Sequence, residues 1–490
     1  MTMDHTQAPV LEALGDYHSR GRMGFTPPGH KQARGADPSV RRRLGEAVFL
    51  SDVLACGGLD DRRTRGRVQE RAEALMADAV HADHTFFTTC GSSLSVKAAM
   101  LAVAGPHEKL LVGRDAHKSV VSGLILAGIR PVWVDPLWDA ARQLAHPPSA
   151  RAFEEAFRAH PDAKGALVTS PTPYGSCAAT AAIAEVCHRR ARPLVVDEAW
   201  GAHLPFHPGL PAWAMDAGAD VCVTSVHKMG SGLEQGSVFH LRGRLVDAAT
   251  LRSRADLLGT TSPSALILAG IDGWRRQMAL HGRELLTDAL ELAAAVRAEI
   301  ELIEGLHVND RADLTGPGAG ADLDPLPVVI DVHDLDTTGY RAADRLREHH
   351  HIDLHLADHR RISAQLTHAD DDRTAAALLT ALRDLADRAD VLRPAPCVRV
   401  PCPADLRLEQ VCLPREAYFG PVEDVPLERA AGRVAAEMLT PYPPGIPVAL
   451  PGELLTEPVL EYLRTGVEAG MHLPDAADRA LRTVRVRDGH

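Results

Sequence analysis

The sequence lacks the excess of basic residues that is typical of nucleic-acid-binding proteins and the closely spaced cysteines that are typical of disulfide-rich proteins. Its 53 lysines and arginines are outnumbered by 65 aspartates and glutamates, which gives a formal net charge of −12. A net acidic surface repels phosphate backbones, so nucleic acid is not an expected partner, and a small cationic molecule is weakly favoured. The eight cysteines form no CxxC pair. Four of them fall in or beside apolar segments and are interpreted as reduced, buried thiols of an intracellular protein: Cys90, Cys177, Cys187 and Cys222.

Long hydrophobic runs are missing as well. No N-terminal apolar stretch resembles a signal peptide, and no run approaches the length of a membrane span. We therefore expect a cytoplasmic protein without a membrane partner. No internal repeat is evident. With 490 residues, of which 45% are hydrophobic, the chain is long enough for a large core and more than one domain.

Short apolar runs alternate with amphipathic stretches between about residues 84 and 240. The runs of strand length are HTFFTT, KLLVG, PVWVD, GALVTS, PLVVD and DVCVTS. Helical patterns occur in SSLSVKAAMLAVAG, HKSVVSGLILAG and TAAIAEVCHRR. Strands that are apolar throughout and separated by helices predict a parallel sheet covered on both faces. Such sheets bind their ligands at the carboxyl ends of the strands.

Four segments are predicted along the chain. Residues 1–70 form an N-terminal arm, and residues 71–310 form a major α/β domain that contains the strands above. Residues 311–327 are rich in glycine, proline and aspartate and predict a linker. Residues 328–490 begin with an apolar run followed by helical patterns, and they predict a smaller α+β domain.

Polar residues follow several of the predicted strands. Ser92 and Ser93 open a predicted helix, whose free N–H groups and dipole can hold a phosphate. Serines at this place are also ordinary helix caps, and the residues alone favour that simpler interpretation. After the strand KLLVG, His117 could cap a helix or lay its ring on a flat cofactor, and nothing local decides between the two.

Asp197 and Lys228 are less usual at strand ends. Asp197 ends a strand too apolar for the surface, where a buried carboxylate needs a cationic partner or several donors. Lys228 follows the apolar strand DVCVTS, although lysine is usually a surface residue. Pyridoxal 5′-phosphate would use both residues, because it needs a lysine for its Schiff base, a carboxylate for its pyridine nitrogen and an anion site for its phosphate.

The chain resembles the bacterial ornithine/lysine/arginine decarboxylases, which are pyridoxal-phosphate enzymes of the aspartate-aminotransferase fold. The resemblance runs nearly end to end and rests on motifs that match in order: FTPPGHK, GLDD, RDAHKS, SPTPYG, VDEAWGAH, SVHK, TTSPS and YPPGIPVALPGE. It implies a fold-type-I major domain with a parallel-rich sheet and a smaller α+β C-terminal domain. The chain looks like the short form, without the extra N-terminal domain of the long enzymes.

The resemblance also implies a role for each matching residue. Lys228 would carry the cofactor, Asp197 would pair with its pyridinium and His117 would stack on its ring, so these are the expected catalytic residues. Further cofactor-binding residues implied by the motifs are Ser92, Ser93, Ser225, His227, Trp200, Thr261 and Ser262. Thr261 and Ser262 would reach the phosphate of the neighbouring subunit. The expected assembly is therefore a homodimer or higher oligomer with shared active sites.

The implied activity is decarboxylation of a basic L-amino acid to the amine and CO2, with arginine expected first and lysine or ornithine next. The distal cation of the substrate should meet a carboxylate, for which the candidates are Glu234, Asp60, Asp61 and Glu453.

Departures from the family pattern leave other outcomes open. Cys90 stands where asparagine is usual, the run from Met229 to Gln235 lacks the usual residues after the lysine, and Ala265 replaces an aromatic. One alternative is a pyridoxal-phosphate enzyme with another outcome, such as oxidative deamination or carbon–carbon cleavage in specialised metabolism. The other is a non-catalytic regulatory homologue, against which the intact Lys228, Asp197 and His117 argue.

The histidine-rich run REHHHIDLHLADHR is interpreted as a segment without a metal. On a helix, His351, His355 and His359 would share a face and could bind zinc. Apolar and polar residues instead alternate from Ile352 to Leu356, which is the periodicity of a strand. No metal site is therefore predicted.

Overall fold

The computed structural model describes residues 3–55, 59–60, 67–392, 394–442 and 444–489. The α-helices are α1 (Pro9–Ser19), α2 (Pro38–Leu44), α3 (Glu46–Ser51), α4 (Val68–Ala79), α5 (Gly91–Val103), α6 (Lys118–Ala127), α7 (Ala150–Ala159), α8 (Thr180–His188), α9 (Val226–Met229), α10 (Ala248–Leu258), α11 (Ala265–Ile300), α12 (Arg311–Leu314), α13 (Gly339–His350), α14 (Asp372–Asp387), α15 (Pro414–Phe419) and α16 (Glu457–Glu468). Short 3₁₀ helices are Leu204–Phe206, His333–Leu335, Ala389–Leu392 and Leu427–Arg429.

The strands alternate with these helices along the first half of the chain. They are β1 (His84–Thr88), β2 (Lys109–Gly113), β3 (Arg130–Val134), β4 (Leu137–Asp139), β5 (Leu144–His146), β6 (Ala166–Thr169), β7 (Ser176–Cys177), β8 (Leu194–Asp197), β9 (Val221–Ser225), β10 (Ser237–Leu241), β11 (His307–Val308), β12 (Asp322–Leu323), β13 (Pro327–Asp331), β14 (Leu356–Ala357), β15 (Arg361–Gln365), β16 (Val422–Pro426) and β17 (Thr483–Arg487).

The chain divides into two compact units. The first comprises Met1–Val103 and Cys187–Glu284, and the second comprises Ala104–Val186 and Leu285–His490. The seven strands of the large sheet are divided four to three between them. Within the described part of the chain, no helix has the length and apolar character needed to cross a membrane.

The first unit contains the neighbouring strands β1, β10, β9 and β8, in that order. β10 is antiparallel to β1 and to β9, whereas β9 is parallel to β8. β1, β9 and β8 therefore run in one direction, and their carboxyl ends lie at the same edge. Thr88 of β1, Ser237 of β10 and Ser225 of β9 form one row across the strands near this edge.

Burial explains why β8 and β9 are apolar up to the polar residues that end them, which are Asp197 in β8 and Thr224 and Ser225 in β9. Every residue of both strands is buried, and α5 packs against β9 and β10. A strand covered on both faces has no solvent-facing positions, so the alternation of polar residues is lost. The polar residues that end these strands therefore stand out in the sequence.

The second unit contains β6, β2 and β3 in parallel pairing, with β2 between the other two. A separate antiparallel sheet has the order β11, β13, β15, β14. The C-terminal residues add the antiparallel pair β16 and β17 and an apolar cluster that includes Leu439, Leu463 and Val484. The predicted parallel-rich α/β sheet with an additional C-terminal region is thus confirmed.

Some elements differ from the sequence-based expectation. β10 was not predicted, because Ser237 and His240 interrupt its apolar run; both are buried, and the Ser237 hydroxyl donates to the Thr224 carbonyl at 2.6 Å. Residues 311–327 contain α12 and β12. The predicted segment boundaries are not tested by the compact units and stay predictions.

The histidine-rich run is divided among different elements. α13 ends at His350, His351 follows it with a left-handed φ of 56°, and β14 includes Leu356 and Ala357 but not the preceding residues. The His359 Nε2 atom lies 2.8 Å from the Gln143 Oε1 atom. His351, His355 and His359 therefore do not share a helix face.

Candidate active site

Lys228 lies in the first turn after β9. α9 begins at Val226, directly after the strand, and the Lys228 Nζ atom lies 4.0 Å from the centroid of the Trp200 ring. Burial lowers the pKa of Lys228 to about 8, although Asp197 and then Glu234 act in the opposite direction. Desolvation disfavours the charged amine, so Lys228 changes charge much closer to neutrality than an ordinary lysine.

Asp197 is the last residue of β8 and is 4% exposed. Burial raises the pKa of its carboxyl, and the positive charge of Lys228 opposes that rise. The Ala199 backbone N–H donates to the Asp197 Oδ1 atom at 3.3 Å. One long hydrogen bond compensates poorly for burying a carboxylate, so this site favours a nearby cation.

Glu198 supports the turn that carries Trp200. It is 2% exposed, and its Oε2 atom accepts the Ala214 N–H at 3.2 Å and lies 3.1 Å from the Cys222 Sγ atom, the thiol being the donor. Burial raises the pKa of Glu198 well above its ordinary value. A Cβ atom at Gly201 would lie 2.4 Å from the Glu198 Cγ atom. The Glu198 side chain therefore fills the space beneath its own turn and joins that turn to β9.

The start of α5 lies beside the segment that follows Lys228. The Gly91 N–H donates to the Gln235 carbonyl at 2.9 Å, with Gly91 at a φ of 71°. Ser92 is half-buried and Ser93 is exposed at this helix N-terminus. The structure thus brings the predicted anion-binding serines and the segment after Lys228 into one region of the first unit.

Ser225 ends β9 and is completely buried. Its Oγ atom has no hydrogen-bond partner within the part of the chain that the structure describes. A buried hydroxyl without a partner costs about 1–3 kcal/mol. This position therefore fits a ligand that offers polar atoms.

His227 lies in α9, and Glu234 lies in the segment between α9 and β10. The His227 Nδ1 atom lies 2.9 Å from the Gly236 carbonyl, which can only accept, so Nδ1 carries the proton. The His227 Nε2 atom is 3.8 Å from a Glu234 carboxylate oxygen, and the Glu234 side chain is 89% exposed. Glu234 therefore has most of its carboxylate in solvent.

Thr261 and Ser262 are exposed in the segment between α10 and α11. The Ser262 N–H and hydroxyl both lie 3.2 Å from the Thr260 Oγ1 atom. Thr261 also lines a cavity of about 520 Å³ in the first unit, together with Cys90 and Arg252.

Two of the carboxylates considered for the substrate lie near the start of α4 in sequence. The Asp60 carboxylate accepts the N–H groups of Val68 and Gln69, both at 3.1 Å. Asp60 therefore caps the N-terminus of α4, which favours a negative charge. Asp61 lies outside the described residues.

His117 belongs to the second unit, where it is the N-cap of α6. The Ser119 N–H donates to the His117 Nδ1 atom at 3.2 Å, and the Ser119 hydroxyl lies 2.9 Å from the same atom. Because Nδ1 accepts the backbone N–H, the ring proton is assigned to Nε2. The helix-cap interpretation is confirmed, and the cap fixes the plane of the imidazole ring.

Glu453 lies in the second unit and is 1% exposed. Its Oε2 atom accepts from Arg114 at 3.1 Å and from the Leu450 N–H at 2.9 Å. Burial raises the pKa of Glu453, and Arg114 opposes the rise. The carboxylate of Glu453 is thus paired with a residue of the RDAHKS motif.

Sequence reasoning did not select Glu198 or Asp115. Both carboxylate oxygens of Asp115 are buried without a hydrogen-bond partner in the described ranges, and burial raises the pKa of Asp115 to about 7. The one sequence signal for each is its position, since Glu198 directly follows Asp197 and Asp115 lies two residues before His117.

The chain matches known proteins over nearly its whole length. Residues 8–315 match the sequence model of the Orn/Lys/Arg decarboxylase major domain, and residues 406–478 match that of the C-terminal domain. The arginine decarboxylase of Halalkalibacterium halodurans is 38% identical over 99% of this chain and 98% of its own. That of Bacillus subtilis is 35% identical, with the same coverage of both chains.

A solved structure shares the fold. The lysine decarboxylase LdcF of Francisella novicida superimposes with a TM-score of 0.82 and 20% identity, over 98% of this chain and 81% of that one. The fold and the two matched regions agree with one another. The chain belongs to the Orn/Lys/Arg decarboxylase family of pyridoxal-phosphate-dependent amino-acid decarboxylases.

Proposed function

We propose that this protein decarboxylates L-arginine to its amine and CO2, with Lys228, Asp197 and His117 as the residues that act on the cofactor. The observation that carries the proposal is that Asp197 ends β8 with its carboxyl buried, while Lys228 lies in the turn after the neighbouring parallel strand β9. Each of these groups is unfavourable when it is buried alone. With pyridoxal phosphate bound, Asp197 would pair with the protonated ring nitrogen and Lys228 would hold the cofactor through its amine.

Other residues of the first unit fit the same cofactor. The orphaned Ser225 hydroxyl suits a phosphate oxygen, and the N-terminus of α5 offers N–H groups and a favourable dipole. We propose a phosphate site formed by Ser225, Ser92, Ser93 and His227. The Trp200 ring beside Lys228 would form one wall of the cofactor site.

The residues divide the chemical work. When bound, pyridoxal phosphate supplies an electron sink for the electron pair left by the departing CO2. The negative charge of Asp197 would keep the pyridine nitrogen protonated. Lys228 exchanges a proton near pH 8, so its Nζ atom can return a proton to the substrate Cα atom.

Arginine is placed first because the relatives named above are arginine decarboxylases. Its guanidinium group needs a carboxylate. Asp60 caps α4 and Glu453 is paired with Arg114, whereas the Glu234 carboxylate is largely exposed. We therefore place Glu234 first among the described candidates for the distal cation; Asp61 stays a sequence-based candidate.

The proposed assembly is a dimer in which Thr261 and Ser262 contribute to the partner's phosphate site. Their exposure on a short segment between two helices supports this role. A cytoplasmic location is proposed on the basis of the cysteines, since those within the described ranges are all free.

Product analysis with the purified chain tests the proposed reaction. The chain with pyridoxal phosphate is given arginine, lysine and ornithine separately, and CO2, amine, ammonia and peroxide are measured together. We expect stoichiometric CO2 and amine, fastest from arginine, with none from the Lys228→Ala variant. Faster turnover of lysine or ornithine would overturn the choice of substrate. Ammonia and peroxide without CO2, or no turnover at all, would overturn the reaction itself.

A further inference from the structure

We infer that three residues near the C-terminus, Tyr442, Gly445 and Asp475, hold His117 in position for the cofactor. These residues are here called the clasp. The inference rests on the role proposed above for His117. The clasp residues lie within the region that matches the family's C-terminal domain, and His117 lies within the matched major domain. All four residues belong to the second compact unit.

A backbone hydrogen bond joins the clasp to the helix that follows His117. The Lys118 N–H, the first of α6, donates to the Gly445 carbonyl at 2.9 Å. The first N–H groups of a helix have no acceptor within that helix. Gly445 therefore satisfies a group that would otherwise need water or another cap.

The second contact is possible because residue 445 has no side chain. A Cβ atom on Gly445 would lie 3.0 Å from the Cδ2 and Nε2 atoms of His117 and 3.2 Å from the Cδ2 atom of Tyr442. Gly445 also has a φ of 89°, which favours glycine. The Gly445 backbone thus lies beside the Cδ2 and Nε2 atoms of the imidazole ring, whereas Ser119 contacts Nδ1.

The third contact involves the residue after His117. The Lys118 Nζ atom lies 2.8 Å from an Asp475 carboxylate oxygen and 5.7 Å from the centroid of the Tyr442 ring. Both partners of the ion pair are partly exposed, so the pair contributes modestly. Together these contacts hold the Lys118 backbone, the His117 ring and the Lys118 side chain in place.

A double-mutant cycle measures whether the clasp acts through His117. Gly445→Ala, His117→Ala and the double variant are prepared as full-length cofactor-free protein, and the dissociation constant of pyridoxal phosphate is measured by absorbance titration. Gly445→Ala should weaken binding about tenfold, and it should cause no further loss when His117 is already alanine. Gly432→Ala is the matched control, because Gly432 has a φ of 78° and a Cβ atom added there would meet no atom within 4 Å.

Asp475→Asn provides a second route that leaves residue 445 unchanged. It removes the ion pair with Lys118 and should weaken binding about two- to threefold, again with no further effect on His117→Ala. Circular dichroism checks that each variant is folded, and Asp475→Asn decides the matter if Gly445→Ala is not.

The outcomes separate the inference from the function on which it rests. The clasp does not act through His117 if the Gly445→Ala variant binds the cofactor as tightly as the Gly432→Ala variant. The same conclusion follows if Gly445→Ala weakens cofactor binding equally in the presence and absence of the His117 side chain. If His117→Ala itself binds the cofactor as tightly as the wild type, the proposed role of His117 is wrong, and the inference is lost with it.

Discussion

The Lys228 Nζ atom lies 4.0 Å from the centroid of the Trp200 ring, and these two residues follow neighbouring parallel strands. Trp200 is carried by the turn after β8, and Lys228 by the turn after β9. The indole covers the amine on one side and contributes to its desolvation. The arrangement explains how a lysine close to solvent can be partly neutral near physiological pH.

Attachment of the cofactor should therefore depend on pH with a midpoint of about 8. The neutral amine is the form that reacts with an aldehyde, and burial lowers the pKa of Lys228 from 10.5 to about 8. The rate of attachment to cofactor-free protein should rise with pH and become level above that value. Stopped-flow absorbance measures this rate between about pH 6 and 10.5, a range that covers both the ordinary and the lowered pKa of the lysine.

Asp197→Asn is the matched variant for this measurement. Asp197 raises the pKa of Lys228, so its neutralisation should move the midpoint to lower pH. A midpoint near the ordinary value for lysine in the wild type, or a shift to higher pH in Asp197→Asn, would contradict the account of this pair.

Asp197→Ala should greatly reduce turnover with the cofactor bound. A buried cation left without its partner costs about 3–5 kcal/mol, which corresponds to roughly two to four decades in rate. The measurement is kcat/KM with arginine at saturating cofactor. Asp216→Ala, at a side chain that is 47% exposed, serves as the control. A loss in kcat/KM of less than about tenfold would show that the role proposed for Asp197 is wrong.

Glu198 should tolerate an amide better than a small side chain. Burial raises the pKa of Glu198 well above its ordinary value, so its surroundings favour the neutral form of the carboxyl. Glu198→Gln keeps the volume and an acceptor for the Ala214 N–H, and we expect activity within about threefold of wild type. Glu198→Ala leaves a cavity under the Trp200 turn and should lower the melting temperature and the cofactor affinity.

Thermal unfolding and cofactor titration compare these two variants. Equal damage from Glu198→Gln and Glu198→Ala would show that a charged carboxylate is required. The interpretation of Glu198 as a neutral support for the turn would then be wrong.

Two different inactive variants should complement each other if the active sites are shared between subunits. A heterodimer of Lys228→Ala and the Thr261→Ala/Ser262→Ala double variant has one site with both lesions and one with neither. Random mixing makes half of the dimers mixed, so activity should recover to roughly a quarter of wild type. The measurement is arginine turnover after subunit exchange has been verified with two affinity tags. If the mixture is no more active than the two variants alone, the segment that contains Thr261 contributes to the active site of its own subunit, and the shared-site proposal is wrong.

The sequence alone can identify a site residue when the strand next to it already predicts that the residue is buried. Asp197 and Lys228 could be selected because Asp197 ends one largely apolar and fully buried strand, and Lys228 lies three residues beyond another. Glu198 could not be selected in this way. Its partners are Cys222 on another strand and Ala214 beyond the turn, so only the tertiary fold shows that its carboxyl is buried.

The candidate carboxylates show the same limit. Asp60 caps α4 through backbone N–H groups, and Glu453 pairs with Arg114, which lies 339 residues away in the sequence. A motif match indicates that such residues belong together but not what they bind. β10 was missed for a related reason, since its polar residues are satisfied by neighbouring strands rather than by solvent.

The central claim is that Lys228 carries the cofactor, and peptide mapping after reduction tests it most directly. The full-length protein is loaded with pyridoxal phosphate, reduced with borohydride, digested and examined by mass spectrometry. The account predicts a phosphopyridoxyl group on the peptide that contains Lys228, with none on that of Lys164, whose side chain is 39% exposed, and no specific labelling in Lys228→Ala. Stoichiometric labelling of another lysine, or an unlabelled Lys228 in protein that is active with arginine, would contradict it.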